Sequence, residues 1–332
     1  MAERSAPVTS VTFRAPELLA QAIPHGHVDP MQLSKGPAPS RLSRILCPQG
    51  CLDLVEAGPA MFYRGVMPDD CYTLMFVLRC EGEAQSFNFG TRVHAGYMGF
   101  FPPGSDLDAT NPAGCVNAIL TVPVDEFHAA MEGWFPALPD RLLKQGAAMR
   151  AGAAERIRLS QLLTGIEARL RDSSGGPPRD CLCGDLQSVV LPAFIDVLQS
   201  GCTNMIPRGN RRFEGRLKRL RMARGFIAGQ TGRPLHITDV CAELGMSKRG
   251  LENLFEDLMG IGPHAYILKQ RLHDARLALL GAGPSTGLVK QAALGAGFQH
   301  FGRFARDYRE VFGESPSETL AHQPSRGNDP FG

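Results

Sequence analysis

Apolar residues come in short runs broken by turn residues between positions 42 and 123, and recur at helical spacing after position 124. The run Tyr72 to Arg79 is rich in β-branched and aromatic residues and bounded by turn signals, which predicts a strand. Gln85 to Phe89 alternates polar and apolar, as a half-buried strand does, and Gly90 ends it. Tyr97 to Phe101 stops at Pro102-Pro103-Gly104, and Val116 to Val122 stops at Pro123. Short strands with frequent turn signals predict a small antiparallel barrel or sandwich. Val124 to Trp134 reads as a helix with Asp125 and Glu126 in its first turn, where the helix dipole favours them. Ala153 to Arg171 and Leu182 to Leu198 read as two more, the second bent by Pro192. Ser200 to Gly209 is a polar, Pro/Gly-containing linker, and everything beyond Arg211 has helical periodicity.

The predicted class is α+β and multidomain. A loose arm spans 1–40, a β-rich domain with helices 41–199, a linker 200–210, an all-α domain 211–323 and a flexible tail 324–332.

One helical signature occurs twice. The first copy runs from Ile237 to Phe255. Thr238 is placed to cap a short helix whose inner face is Val240, Cys241 and Leu244. Gly245 suits the positive-φ position of a tight interhelical turn. Ser247 caps the next helix, which buries Leu251, Leu254 and Phe255 and leaves Lys248, Arg249, Glu252 and Asn253 outside. The second copy runs from Val289 to Tyr308, with Gly297 at the turn and Phe298, Phe304, Tyr308 and Phe312 as the inner stripe. Gln299, His300, Arg303 and Arg306 face outward. One amphipathic helix pair is weak evidence for DNA binding. Two in a module of this size, each with a basic, polar outer face, make a specific pattern. Pro263 to Leu280 between them, at about 1.5 Å per residue, spans roughly 27 Å. Successive major grooves on one DNA face lie roughly 34 Å apart. A rod of that length can hold two recognition helices in neighbouring grooves.

Gly260-Ile-Gly-Pro263, Arg271-Leu272 with Ala275-Arg276, Gly297-Phe298 and Phe312-Gly-Glu-Ser-Pro316 resemble the AraC/XylS family of bacterial transcriptional regulators over Arg216 to Leu320. The resemblance implies a sequence-specific DNA-binding regulator, not an enzyme. The β-rich domain would sense a small molecule and dimerise, and double-stranded DNA and RNA polymerase would be partners. Family base-reading positions fall on Arg249, Glu252 and Asn253 in the first unit, and on Phe301, Gly302 and Ala305 in the second; Arg306 matches an arginine aimed at phosphate. Phe301 and Gly302 lack side-chain donors, so the second unit is expected to position the protein more than to read bases. Met259 to Tyr266 and Gly297 to Phe304 look most similar to the subgroup that regulates ethanolamine-utilisation operons. That closer likeness implies ethanolamine together with cobalamin as the effector; no other cofactor and no metal is expected.

Composition and charge sharpen this picture. The chain has 332 residues, 43% hydrophobic and 20% charged, which excludes global disorder. No apolar run approaches the roughly 20 residues of a membrane span. The net charge of +2 hides an asymmetry: residues 1–208 carry 17 Lys/Arg against 21 Asp/Glu, and residues 209–323 carry 17 against 11. A mildly acidic sensor is joined to a basic reader. Nine cysteines, without a paired zinc-ligand spacing, read as free reduced thiols and place the chain in the cytoplasm.

Catalytic chemistry is hard to find in the N-terminal half. His25 and His27, near Asp29, sit among Gly and Pro and read as a solvated loop; His94 and His128 are isolated. No nucleophile elbow, phosphate loop or dinucleotide fingerprint is present. Phe76, Phe87, Phe89 and Tyr97 are candidates for an effector pocket or for simple core packing, and Trp134 for plugging a helix end. For the basic cluster from Arg211 to Arg224, packing on the sensor is as good a reading as phosphate contact. Lys248 and Arg249 have the plain alternative of a solvated helix start, and Arg303, Arg306 and Arg309 that of a charged outer face. The rival from another class is a ligand-binding or catalytic barrel whose helical domain serves protein contacts. A repair enzyme on the same module would need an activated cysteine, and the sequence shows no Lys/Arg/His arrangement that marks one of the nine thiols as such.

Overall fold

Strand β6 (Cys71–Arg79) shows why the N-terminal half is layered. Tyr72, Leu74, Phe76 and Leu78 enter one hydrophobic core, while Met75 enters another on the opposite side of the same strand. Residues alternate between faces along a strand, so a continuously apolar strand must be covered on both. The computed structural model describes residues 8–13, 27–80, 86–88, 91–134, 138–150, 152–171, 184–202, 205–206, 211–230, 232, 235–281 and 287–321.

The strands are β1 (Val8–Phe13), β2 (His27–Gln32), β3 (Ser40–Cys47), β4 (Gly50–Glu56), β5 (Met61–Val66), β6, β7 (Ser86–Asn88), β8 (Thr91–Val93), β9 (Tyr97–Phe101), β10 (Asp106–Asn111), β11 (Val116–Pro123), β12 (Ala147–Arg150) and β13 (Met205–Ile206). An eight-stranded sheet runs β1-β3-β4-β11-β6-β9-β12-β13, and a five-stranded sheet runs β2-β5-β10-β7-β8. Both are antiparallel in every described pairing. The sheets enclose a core that includes Phe13, Leu42, Val55, Met61, Phe101 and Leu107.

Helices α1 (Val124–Trp134), α2 (Asp140–Gln145), α3 (Ala153–Arg171) and α4 (Leu191–Cys202) lie in this half. Phe127, Leu163, Phe194 and Leu198 fill the core on the outer face of the large sheet. A π-helical turn, Leu186–Val190, leads into α4 next to Pro192, whose missing N–H breaks the regular ladder. The bend expected in one helix is this junction.

Two strands lie inside the segment expected to be a loose arm. β1 pairs with β3, and β2 with β5. Each has six residues, and their pairing depends on partners far along the chain. Cys47 is disulfide-bonded, against the expectation of nine reduced thiols, while Cys51, Cys71, Cys80, Cys115, Cys202 and Cys241 are free. Gln85, Phe89 and His25 lie outside the described residues, as do the side chains of Phe87 and Trp134.

The C-terminal half is α5 (Arg211–Gly229), α6 (Ile237–Leu244), α7 (Lys248–Met259), α8 (Pro263–Gly281), α9 (Leu288–Gly295), α10 (Phe301–Phe312) and α11 (Pro316–Ala321). One core joins Leu220, Val240, Leu251, Leu254, Phe255 and Tyr266; a second joins Leu272, Leu279, Ala293, Phe304, Tyr308 and Phe312. The first also takes in Met31, Leu33 and Phe62 from the N-terminal half. The layers therefore run from the α1–α4 helices to the large sheet, the small sheet and the C-terminal helices. No helix among the described residues is long and apolar enough to cross a membrane.

Candidate nucleic-acid interface

Helix α6 begins at Ile237, one residue before the expected cap Thr238. Asp239 instead accepts the His236 backbone N–H at 2.9 Å. Gly245 ends α6 at φ 58°, a left-handed conformation that a side chain resists. Ser247 Oγ accepts the Gly250 N–H at 3.1 Å, so its hydroxyl is engaged as the cap of α7. Leu251, Leu254, Phe255, Leu258 and Met259 are the buried side of α7. Lys248, Arg249 and Asn253 are exposed, and Glu252 is half-buried. Among the described residues Lys248 and Arg249 make no ion pair.

The second pair is built alike. Gly297 stands at the turn with φ 82°, and Phe298 N–H returns to the Ala293 carbonyl at 2.9 Å. Helix α10 buries Phe304, Asp307, Tyr308, Val311 and Phe312. Gln299, His300, Phe301, Gly302, Arg303, Ala305 and Arg306 are exposed. Phe301 carries the Lys290 ammonium 5.8 Å from its ring centroid. Arg303 and Arg306 both lean on the buried Asp307, at 3.5 and 3.1 Å, while staying 72% and 66% exposed. Such exposed pairs are weak and can yield to a phosphate.

Helix α8 holds the two pairs apart. Its 19 residues span about 28 Å. Tyr266 packs on Phe255 of the first pair. Arg276, almost fully buried, donates to Glu314 at 2.7 Å and to Tyr308 and Thr319 at 3.3 Å, and lies over the Phe312 ring. Burial and the charge of Lys35 pull the Lys269 ammonium down to about 8.

The basic cluster at the start of the helical half largely faces protein. Arg216 pairs with Asp257. Arg221 and Arg224 both donate to Asp108 of β10, at 2.5 and 2.6 Å. Arg219 and Lys218 stay exposed.

Sequence reasoning missed the groups that dock the two halves. Asp29 of β2 accepts from Arg64 at 2.7 Å and lies 2.9 Å from His273 Nε2 of α8. These partners outweigh burial and hold the Asp29 carboxyl down at about 2. Gln32 Nε2 donates to the Val311 carbonyl at 2.7 Å, and Gly36 N–H to the Glu310 carbonyl at 2.8 Å. Both acceptors belong to the last turn of α10, whose carbonyls have no partners within the helix. Pro37 packs on Gly313, which ends that helix at φ 75°. The only sequence signal was alternation: in Asp-Leu-Asp-Ala-Thr-Asn of β10 the charged positions face out, toward helices rather than water.

Residues 240–322, which take in most of the first helix pair and all of the second, match a helix-turn-helix domain family. The chain carries the DNA-binding domain of an AraC-type transcriptional regulator. It is similar to the XylDLEGF operon transcriptional activator of Pseudomonas putida, 28% identical with 82% of each chain covered. It is also similar to the probable thc operon regulatory protein of Rhodococcus erythropolis, 36% identical over 32% of each chain. Among solved structures, a probable AraC family regulator from Rhodopseudomonas palustris is 39% identical over 32% of this chain and 99% of its own, with a TM-score of 0.30.

Proposed function

We propose that the regulator reads two successive major grooves of double-stranded DNA, with α7 in one and α10 in the next, under the control of a small molecule held by the sensor half. The observation that carries this is the repeated exposed face: Lys248, Arg249, Glu252 and Asn253 on α7, and Gln299, His300, Phe301, Arg303 and Arg306 on α10. Both are backed by apolar stripes and fixed to one 19-residue rod. Lysine and arginine on phosphates supply most of the affinity, with a steep salt dependence from counterion release. Asn253 suits adenine and Glu252 suits cytosine as base-edge partners. Ser247 acts through the cap that orients Lys248 and Arg249. Phe301 offers an apolar contact to a thymine methyl. RNA polymerase and a second copy of the chain complete the partners in this proposal.

Ethanolamine with cobalamin finds no support in the sensor half. Its interior cavity of about 50 Å³ is far smaller than a corrin. Asp53 on its wall is already paired with Arg44 and so is not free for an ammonium group. Phe76 lies in the core on the opposite side of the large sheet, and Tyr97 borders a separate small cluster, so neither lines this cavity.

Binding to selected and random duplexes at two salt concentrations tests the DNA reading. Arg306→Ala weakens binding to every sequence and flattens the salt slope, whereas Asn253→Ala changes which sites are preferred. Unchanged low-salt affinity in Arg306→Ala overturns the docking of α10.

A further inference from the structure

The five-stranded sheet is one residue thick between an enclosed cavity and the DNA-binding helices. Val28, Tyr63, Leu107 and Ala109 line the cavity from this sheet, and Thr73 and Asn117 from the large one. The wall is mostly apolar, yet Tyr63 Oη, Thr73 Oγ1 and Asn117 Oδ1 have no hydrogen-bond partner among the described residues. All three residues are at least nine-tenths buried. Buried polar groups are rarely left unpaired, because each has lost its water and gained nothing in return. Burial pushes the Tyr63 phenol up, against a lowering influence of the Asn111 side chain, which lines the same cavity but makes no hydrogen bond of good geometry with Oη, so the phenol remains an O–H donor. Asn117 Nδ2 faces Cys115 Sγ at 3.8 Å, which leaves its carbonyl oxygen as the open group.

The register separates these groups. Thr73 stands opposite Thr121 and Val77 opposite Asn117, so Thr73 and Asn117 lie four residues apart along the ladder, roughly 13 Å. Between them, at the level of Ile119, the lining is Met75 and Ile119 with Asp53 beside them, while Val55 stands opposite Asn117. The one carboxylate on the wall, Asp53, is neutralised by two 2.8 Å hydrogen bonds from Arg44. An ionic ligand would meet no free counter-charge there.

We propose that this cavity is the effector site, and that it takes an uncharged molecule with an apolar body and hydroxyl- or carbonyl-type groups at its ends. Tyr63 and Thr73 donate to it and Asn117 accepts from it. The site presupposes the ligand-responsive regulator proposed above and supplies its ligand class and wiring. At about 50 Å³ the cavity is smaller than the roughly 150 Å³ that accommodates benzene, so a ligand of that size must push a wall outward. The thin sheet is that wall. Its outer residues alternate with the inner ones: Asp108, between Leu107 and Ala109, holds Arg221 and Arg224; Asp29, next to Val28, meets His273. Occupancy therefore changes how the sensor grips α5 and α8.

The test uses the full chain and 4-hydroxybenzyl alcohol, which is uncharged and carries hydroxyls at both ends of an apolar ring. Titration calorimetry is expected to show saturable binding. Tyr63→Phe and Thr73→Val should each weaken it at least fivefold without lowering the melting temperature, since each removes an unpaired hydroxyl and keeps the shape. Benzylamine and 4-hydroxybenzoate should bind at least tenfold more weakly. Hydrogen exchange of residues 106–111 and 269–276 should change on binding. Absence of saturable binding, equal binding of the charged probes, or unaltered affinity in both variants overturns the proposal. DNA retention by the same preparation without probe tests the regulator reading separately, so failure of either is seen alone.

Discussion

Asp29→Asn isolates one charge in the contact between the N-terminal and C-terminal halves. The change keeps the shape of the side chain and removes its ion pair with Arg64 and the carboxylate oxygen that meets His273 Nε2. In the folded chain the carboxyl is held at about 2, against an ordinary value of 3.8. A shift of nearly two pH units corresponds to about 2.5 kcal/mol of stability carried by the ionised form. Because the folded value lies below the unfolded one, this stability is complete above about pH 4 and disappears as pH falls toward 2. Urea unfolding followed by circular dichroism should therefore separate wild type and Asp29→Asn by about 2.5 kcal/mol at pH 7 and by about half that at pH 3. Amide exchange in α8 around His273 should speed up in the variant at pH 7. A difference under about 0.5 kcal/mol at pH 7 would refute the assignment, given the spread ordinary surface substitutions show. So would a difference that is the same at pH 3 and pH 7.

Further outcomes follow from the same contacts. Asp108→Ala leaves the nearly buried Arg224 without its carboxylate; removing one partner of such a pair costs about 3 kcal/mol or more, read as a lower urea midpoint and faster exchange in α5. Arg276→Met removes the ties to Glu314, Tyr308 and Thr319, so α11 and the end of α10 should lose exchange protection while α7 keeps it. Gly313→Ala meets a positive φ and a Cβ position 2.4 Å from Pro37; a loss of about 1–2 kcal/mol is expected from the backbone alone, checked by thermal unfolding. Gln32→Ala exposes the Val311 carbonyl without a partner, and should free α10 from the sensor while leaving its own core intact, checked by exchange at residues 308–313.

Much of the fold was legible because its causes are local. Helices α1 and α3 sit where the apolar period and the acidic first turn predicted them. The turn at Gly245, the cap at Ser247 and the buried stripe of α7 follow from residues within a few positions of one another. Strands β6 and β11 were visible as mostly apolar runs bounded by turn residues, interrupted only by a few polar positions such as Thr73 and Asn117. The outward faces of α7 and α10 were readable for the same reason: a period of 3.6 assigns every residue to a side.

The contacts between the two halves were not legible, because each joins residues that chain proximity does not relate. Asp29 and His273 are 244 positions apart, and Gln32 and Val311 are 279 apart. A charged residue on an amphipathic strand reads the same whether it meets water or another domain; only the packing of the small sheet on α5 and α8 decides which. The cavity depends on the same packing. Tyr63, Thr73 and Asn117 are ordinary strand residues until three strands from two sheets turn them toward one space and leave their polar atoms unpaired there. The sequence alone determined a two-part chain with a basic, twice-repeated helix pair at its end. The tertiary structure decided how the parts are joined, because that junction exists only in the register of strands and the alignment of sheet and helix.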